Sequence, residues 1–268
     1  MRKLTPALLR RFPLPRQSAD DDKDDRGIAL VIGGSVQLPG TILLSGLAAL
    51  RAGAGKLQFG APREIAIPLG IAAPEALVAS GRAITPFVKQ ADATLIGPGM
   101  PQRPATVSSA RAFARAMKPD ATLVLDAAAL SAVGGRSRSV ITPHTGEMAS
   151  LMKIDEREVA ENAPDVALEA ATRFGCVVAL KSATTFIAAD GDVFAYDGGT
   201  VGLATSGSGD ALAGIVTGLA ARGAHPLVAT LWAVWAHGMA GRRLSRRIGR
   251  TGFLARELLD DLPALLNG

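Results

Sequence analysis

The sequence predicts an α/β fold in which helices cover both faces of a mostly parallel central sheet. Three observations lead there. Short apolar runs alternate with stretches of helical period along most of the 268 residues. Glycine-rich turns follow several of those runs directly, as at Gly33-Gly34 and Gly97-Pro98-Gly99. Hydrophobic residues make up 48% against 20% charged and 4% aromatic, which is enough apolar surface for a sizeable core and too few aromatics for a base-stacking platform.

Residues Met1 to Arg26 read as an N-terminal arm, a flexible lead-in outside the core. They combine a short helix around Ala7 to Arg11, a proline-containing stretch and the acidic run Asp20 to Asp25. Residues 27–268 read as a single domain, because no internal repeat or Pro/Ser-rich linker divides them. The body opens with a strand at Gly27 to Ile32, a helix at Thr41 to Arg51 that closes on Gly53-Ala54-Gly55, and a strand at Lys56 to Gly60, a first β-α-β unit. Strand signals follow at Ala93 to Ile96, Thr122 to Leu125, Ser139 to Thr142 and Val177 to Lys181, with helices at Ala105 to Met117, Gly146 to Met152 and Val166 to Phe174 between them. A hairpin is expected at Thr185 to Ala189 and Val193 to Tyr196, turning at Asp190-Gly191. Helices at Ser208 to Arg222, Leu227 to Arg247 and Phe253 to Leu266 complete the chain.

The net charge of +5 is dispersed, which favours a solvated surface over nucleic-acid binding. A single cysteine, Cys176, in an apolar run excludes an intrachain disulfide framework and reads as a buried thiol. With no long apolar segment near the N-terminus, and with the run from Leu227 to Ala240 too short to span a bilayer, a cytoplasmic protein that does not enter membranes is expected.

Several familiar motifs fail on inspection. Gly55-Lys56 resembles the end of a P-loop, but Leu57 replaces the Ser/Thr and Leu50 the first Gly. Gly207-Ser208-Gly209 starts like a dinucleotide fingerprint, yet Leu212 takes the third Gly position. His144, His225 and His237 lack metal-ligand spacing, so no residue is assigned as a metal ligand.

Three segments survive. Ala204 to Gly214 is a glycine-rich turn running into an apolar helix, where exposed N–H groups suit an anion. Asp210 in the first turn either complements the helix dipole, with Ser208 as cap, or acts as general base on a hydroxyl beside a bound phosphate. Lys181 to Thr185 either holds nucleotide phosphates or forms a solvated turn. In Ile141 to Glu147, His144 is a candidate ligand contact, and Glu147 either caps a helix or helps organise a hydrated metal. All three follow strands, and ligands of open α/β sheets gather at strand carboxyl ends.

Taken in order, Val31-Ile-Gly-Gly-Ser35, Ala48 to Gly55, Ile96-Gly-Pro-Gly99, Val124-Leu-Asp126, Ile141 to Glu147, Ala179-Leu-Lys181 and Gly207 to Gly214 resemble the ADP- or ATP-dependent NAD(P)H-hydrate dehydratases over roughly residues 27 to 265. The resemblance implies a ribokinase-like three-layer fold. It also implies metabolite repair by nucleotide-dependent dehydration of the S-epimer of NADH-hydrate or NADPH-hydrate, with ADP or ATP as phosphoryl donor and Mg²⁺. By motif position, Thr41, Gly99, His144 and Asp210 would meet the hydrated dinucleotide, with Asp210 as the base. Lys181, Ser182, Ala183, Thr184, Thr185 and Gly209 would meet the nucleotide, and the N–H groups of Gly207, Ser208 and Gly209 would stabilise the transferring phosphoryl. Asp126 either orients a loop or faces the substrate.

The sequence departs from the family pattern at Leu38 to Thr41, at Ser182, at Thr200-Val201 and at Ser206, where Ser182 adds a Cβ in a turn that is usually glycine. Homo-oligomerisation and a separate epimerase chain in the same pathway are further implications. Two other readings stay open: an ATP-dependent small-molecule kinase of the same fold, and a non-catalytic nucleotide-binding homologue.

Overall fold

In the computed structural model, which describes residues 1–18 and 20–266, ten strands form one sheet. They are β1 (Arg2–Lys3), β2 (Ile28–Ile32), β3 (Lys56–Gly60), β4 (Ala76–Ala79), β5 (Ala93–Ile96), β6 (Thr122–Leu125), β7 (Ser139–Ile141), β8 (Val177–Leu180), β9 (Thr185–Ala189) and β10 (Asp192–Tyr196). The order across the sheet is β1-β10-β9-β8-β7-β6-β5-β2-β3-β4. All neighbours are parallel except the pairs β8–β9 and β9–β10, where the hairpin turns through Asp190 at φ 51° and Gly191.

The helices are α1 (Pro6–Leu9), α2 (Pro39–Arg51), α3 (Arg63–Ala72), α4 (Ile84–Gln90), α5 (Pro104–Ala116), α6 (Thr145–Met152), α7 (Glu156–Glu161), α8 (Ala163–Phe174), α9 (Ser208–Ala221), α10 (Pro226–Arg247) and α11 (Leu258–Leu266). They divide into two layers, and β2 shows why: Ala29 and Val31 point into one core with α2, α9, α10 and α11, while Leu30 and Ile32 point into the other with α4 to α8. Every residue of β5, β6 and β8 is buried, as continuous apolar runs covered on both faces must be. The architecture is the three-layer α/β fold expected from the sequence.

Two parts differ from expectation. The segment read as an arm outside the core packs into the body instead. β1 ends the sheet beside β10, Leu4 and Leu9 are buried in the core, and the indole of Trp232 donates to Phe12 O at 2.7 Å. In the acidic run, Asp24 pairs with Lys56 at the start of β3. Leu4 and Phe12 are the physical reason: apolar residues spaced along the segment find the uncovered edge at β10 and the face of α10. Ala19, Asn267 and Gly268 lie outside the described residues. The second difference is α3, β4 and α4, for which the periodicity gives no signal because Pro68, Gly70 and Pro86 interrupt it. No helix among the described residues is long and apolar enough to cross a membrane.

Candidate active site

The carboxyl ends of β5, β6, β7 and β8 converge on the N-terminus of α9. α9 is buried along almost its whole length and lies directly on α2, where a Cβ at Gly214 would fall 2.2 Å from Ser45 O. The helix begins after Gly207, whose φ of 87° turns the chain in a way a side chain would resist. Gly207, rather than Ser208, is the capping residue, and no side chain accepts from the first turn. The cap role weighed for Ser208 is therefore not the one observed; its hydroxyl lies 3.0 Å from Nε2 of His237 on α10. The start of α9 keeps its partial positive charge and N–H groups for an incoming anion.

Asp210 sits in that first turn. Its carboxyl is pushed up to about 7, first by burial and then by the neighbouring charge of Asp126, with Lys181 offsetting part of the effect and Glu147 adding a smaller push upward. Asp126, at the end of β6, is 4% exposed and accepts from Thr142 Oγ1 at 2.7 Å and Lys181 Nζ at 3.2 Å. Of the two roles weighed for Asp126, the contacts connect it to Lys181 and Thr142. Lys181 follows β8, its backbone N–H donating to Pro143 O at 2.8 Å, and its ammonium lies 3.2 Å from where a Cβ on Gly209 would stand. One cation thus bridges a buried carboxylate and the start of α9.

His144 and Glu147 cap α6 reciprocally. His144 Nδ1 accepts from the N–H groups of Gly146 and Glu147, and Glu147 Oε2 accepts from His144 N at 2.8 Å. With Nδ1 accepting, the ring's N–H is at Nε2, which lies 3.5 Å from Glu147 Oε2. Glu147 takes the capping role of the two weighed for it.

A cavity of about 850 Å³ opens beside α9, lined by His144, Lys181, Ser182, Ala183, Thr185, Ser208 and Gly209 among others. Thr184 is not in its wall; its carbonyl accepts from the Ser182 hydroxyl. Ser182 is not in the left-handed region, so its Cβ is accommodated without the strain the substitution suggested. Thr200 and Val201 also line this cavity, and the Thr200 hydroxyl is 3.1 Å from that of Ser245. Thr41 and Gly99 form a separate group: a Cβ at Gly99 would fall 2.1 Å from Thr41 Oγ1, and that hydroxyl donates to Leu38 O at 3.0 Å. Gly207 adjoins α2 through Leu44, so this group and the glycine turn before α9 flank the same helix.

The residues that sequence reasoning missed are those of the end of β10, the turn before α9 and α10: Tyr196, Leu203, Thr205, Val234 and His237 line the cavity. His237 is the most consequential. Burial holds its imidazole down at about 4, so it stays neutral against Ser208. It carries no local signal, since it sits inside a long apolar helix and acts across the fold.

Comparison with known proteins matches the chain to one family. A family model described as NAD(P)H-hydrate dehydratase matches residues 29–264. The chain is 44% identical to the ADP-dependent (S)-NAD(P)H-hydrate dehydratase of Xanthomonas campestris pv. campestris, over 100% of this chain and 96% of that one. It also spans about half the length of the bifunctional NAD(P)H-hydrate repair enzymes it matches. Among solved structures, the ADP/ATP-dependent NAD(P)H-hydrate dehydratase of Bacillus subtilis, co-crystallised with ATP/Mg²⁺, superposes with a TM-score of 0.89 at 31% identity, covering 99% of this chain and 98% of that one. A ribokinase-like superfamily protein of Enterococcus faecalis superposes with a TM-score of 0.90 at 26% identity, covering 100% and 95%. The order of motifs, the fold and these matches agree, and the chain belongs to the NAD(P)H-hydrate dehydratase family.

Proposed function

We propose that this chain restores NADH and NADPH from the S-epimers of their hydrates, using ADP as phosphoryl donor and releasing AMP and phosphate. The chemistry required is a change of leaving group: hydroxide leaves the nicotinamide ring badly and phosphate leaves well. Asp210 takes the proton from the ring hydroxyl as its oxygen attacks the terminal phosphoryl of ADP. Expulsion of phosphate, with loss of a proton from the adjacent ring carbon, then restores the ring double bond. The N–H groups at Gly207, Ser208 and Gly209 meet the charge that develops on the transferring phosphoryl, and Lys181 adds a cation fixed by Asp126. His144 offers its Nε2 proton to the substrate.

Mg²⁺ fits only as an ion carried on the nucleotide. No cluster of three metal-ligating side chains occurs among the described residues, and Asp126 and Glu147 are already engaged in hydrogen bonds. Asp210 is the carboxylate that would meet a hydrated Mg²⁺, which would supply positive charge against phosphate repulsion. A separate epimerase supplying the S-epimer belongs to the same proposal.

The observation that carries the proposal is Asp210, a carboxylate poised near neutrality at the uncapped start of a buried helix. Its test is recovery of reduced-nicotinamide absorbance from NADH-hydrate with Mg²⁺ and ADP, ATP or no nucleotide, for wild type and Asp210→Asn. ADP-dependent recovery is expected, lowered by roughly 10²- to 10⁴-fold in the variant. Nucleotide binding without recovery, or accumulation of a phosphorylated product, overturns it.

A further inference from the structure

The turn at the start of α9 is soft by composition. Gly207 and Gly209 carry no side chain, and Gly207 caps the helix without a side-chain hydrogen bond. Between them Ser208, 5% exposed, has the one side chain by which these three residues can be anchored. Its hydroxyl meets Nε2 of His237 on α10 at 3.0 Å. The helix that carries His237 is itself tightly seated. A Cβ on Gly238 would fall 2.2 Å from the Tyr196 ring, and one on Gly241 would fall 2.8 Å from the Leu203 side chain, so α10 packs without slack on the end of β10 and the turn before α9. On the opposite side, a Cβ on Gly207 would fall 2.7 Å from Leu44 of α2. The ring of His237 stays neutral: burial lowers its pKa to about 4, the Ser208 backbone offsets part of this, and the charge of Lys181 adds a smaller push down.

We infer that His237 is a positioning residue: by holding the Ser208 hydroxyl, it fixes the direction in which the N–H groups of Gly207, Ser208 and Gly209 face a transferring phosphoryl. The inference rests on the phosphoryl-transfer step of the dehydratase reading. Donors stabilise a transition state only when they already point at the charge that develops, and a turn built on two glycines does not hold that direction by itself. The bond to His237 supplies the constraint from outside the helix. A bound ADP tolerates a small rotation of these N–H groups, because its phosphate oxygens are many and its chain is flexible. The planar phosphoryl in transit does not. Loss of the bond is therefore expected to cost rate more than nucleotide affinity.

Equilibrium titration of the whole chain with Mg²⁺ tests this, using ADP on one side and AMP with aluminium fluoride, a planar mimic of the phosphoryl in transit, on the other. Ser208→Ala removes the hydroxyl and keeps the N–H. His237→Leu removes the partner, and His237→Gln returns a polar nitrogen at a similar reach. Ser208→Ala and His237→Leu are each expected to weaken the fluoroaluminate complex roughly tenfold, with ADP affinity held within about twofold. The double variant is expected to lose no more than either single one, and His237→Gln to regain most of the loss. Should His237→Leu fail to fold, Ser208→Ala alone must still show the selective loss. Losses that multiply in the double variant, equal weakening of ADP and fluoroaluminate, no weakening at all, or no gain from aluminium fluoride in the wild type overturns the inference. With NADH-hydrate, kcat is expected to fall by the same factor while KM for ADP stays. The coupled pattern in a wild type that restores no NADH defeats the dehydratase reading and leaves His237 in its role. Hydrate turnover with unchanged kcat in both single variants defeats the role and leaves the reading.

Discussion

Asp210 is placed where the fold opposes its charge. A carboxyl raised from 3.8 to about 7 keeps its proton in the folded chain over a range where the unfolded chain has released it. Stability therefore falls as pH rises from about 4 to about 7 and levels off above. Ionisation at that site costs on the order of 4 kcal/mol by the linkage between pKa and free energy. Asp210→Asn cannot ionise, so at pH 8 it should be more stable than wild type by on the order of 1–4 kcal/mol, the difference narrowing towards pH 5; urea denaturation at both values reads this. The proposed role of Asp210 as base predicts the opposite dependence for turnover, since a base must be ionised: kcat/KM of the wild type should rise with pH and reach half its plateau near pH 7. Asp210 and Lys181 were legible in the sequence because a glycine-rich helix start and a strand-end cation are local patterns. The pairs Lys181–Asp126 and Ser208–His237 were not, since they join residues 55 and 29 positions apart that only the fold brings together.

α9 holds the glycine turn at its start in place by lying close against α2. With Ser45 O only 2.2 Å from a Cβ at Gly214, and Ala49 O at the same distance from one at Gly218, any larger residue must push the helices apart. Gly214→Ala should lower stability by about 1–3 kcal/mol, the usual cost of overpacking. The same displacement moves Gly207 to Asp210 relative to Lys181, so kcat should fall while the chain still folds; denaturant midpoints and steady-state rates on one preparation check both. Strands and helices of this kind were read from sequence to within a few residues wherever an unbroken apolar run or period existed, as at β3, β5 and β6. α3 and α4 were invisible because each carries a proline, and α3 buries only Ile65 and Leu69. A helix with so narrow a buried face leaves little pattern to find.

At the scale of the whole molecule, the sheet closes with the chain's own beginning. Leu4 N donates to Ala195 O at 2.8 Å, and Phe12 packs edge-on against Phe194 with ring centroids 5.8 Å apart. Arg2 lies over both rings. This covers the edge of β10, which otherwise presents unpaired backbone groups. It also ties the first residues to the strand whose last residue, Tyr196, lines the cavity beside α9. An arm and a core segment predict different outcomes for Leu9, which is 1% exposed. In an arm, Leu9→Ala would change stability by less than about 0.5 kcal/mol, as surface substitutions do. In a core segment it leaves a cavity, and a loss of about 2–5 kcal/mol is expected. Urea denaturation of Leu9→Ala beside wild type decides the matter: a midpoint shift of the larger size makes the first residues part of the folding unit, and an unchanged midpoint returns them to the role of an arm.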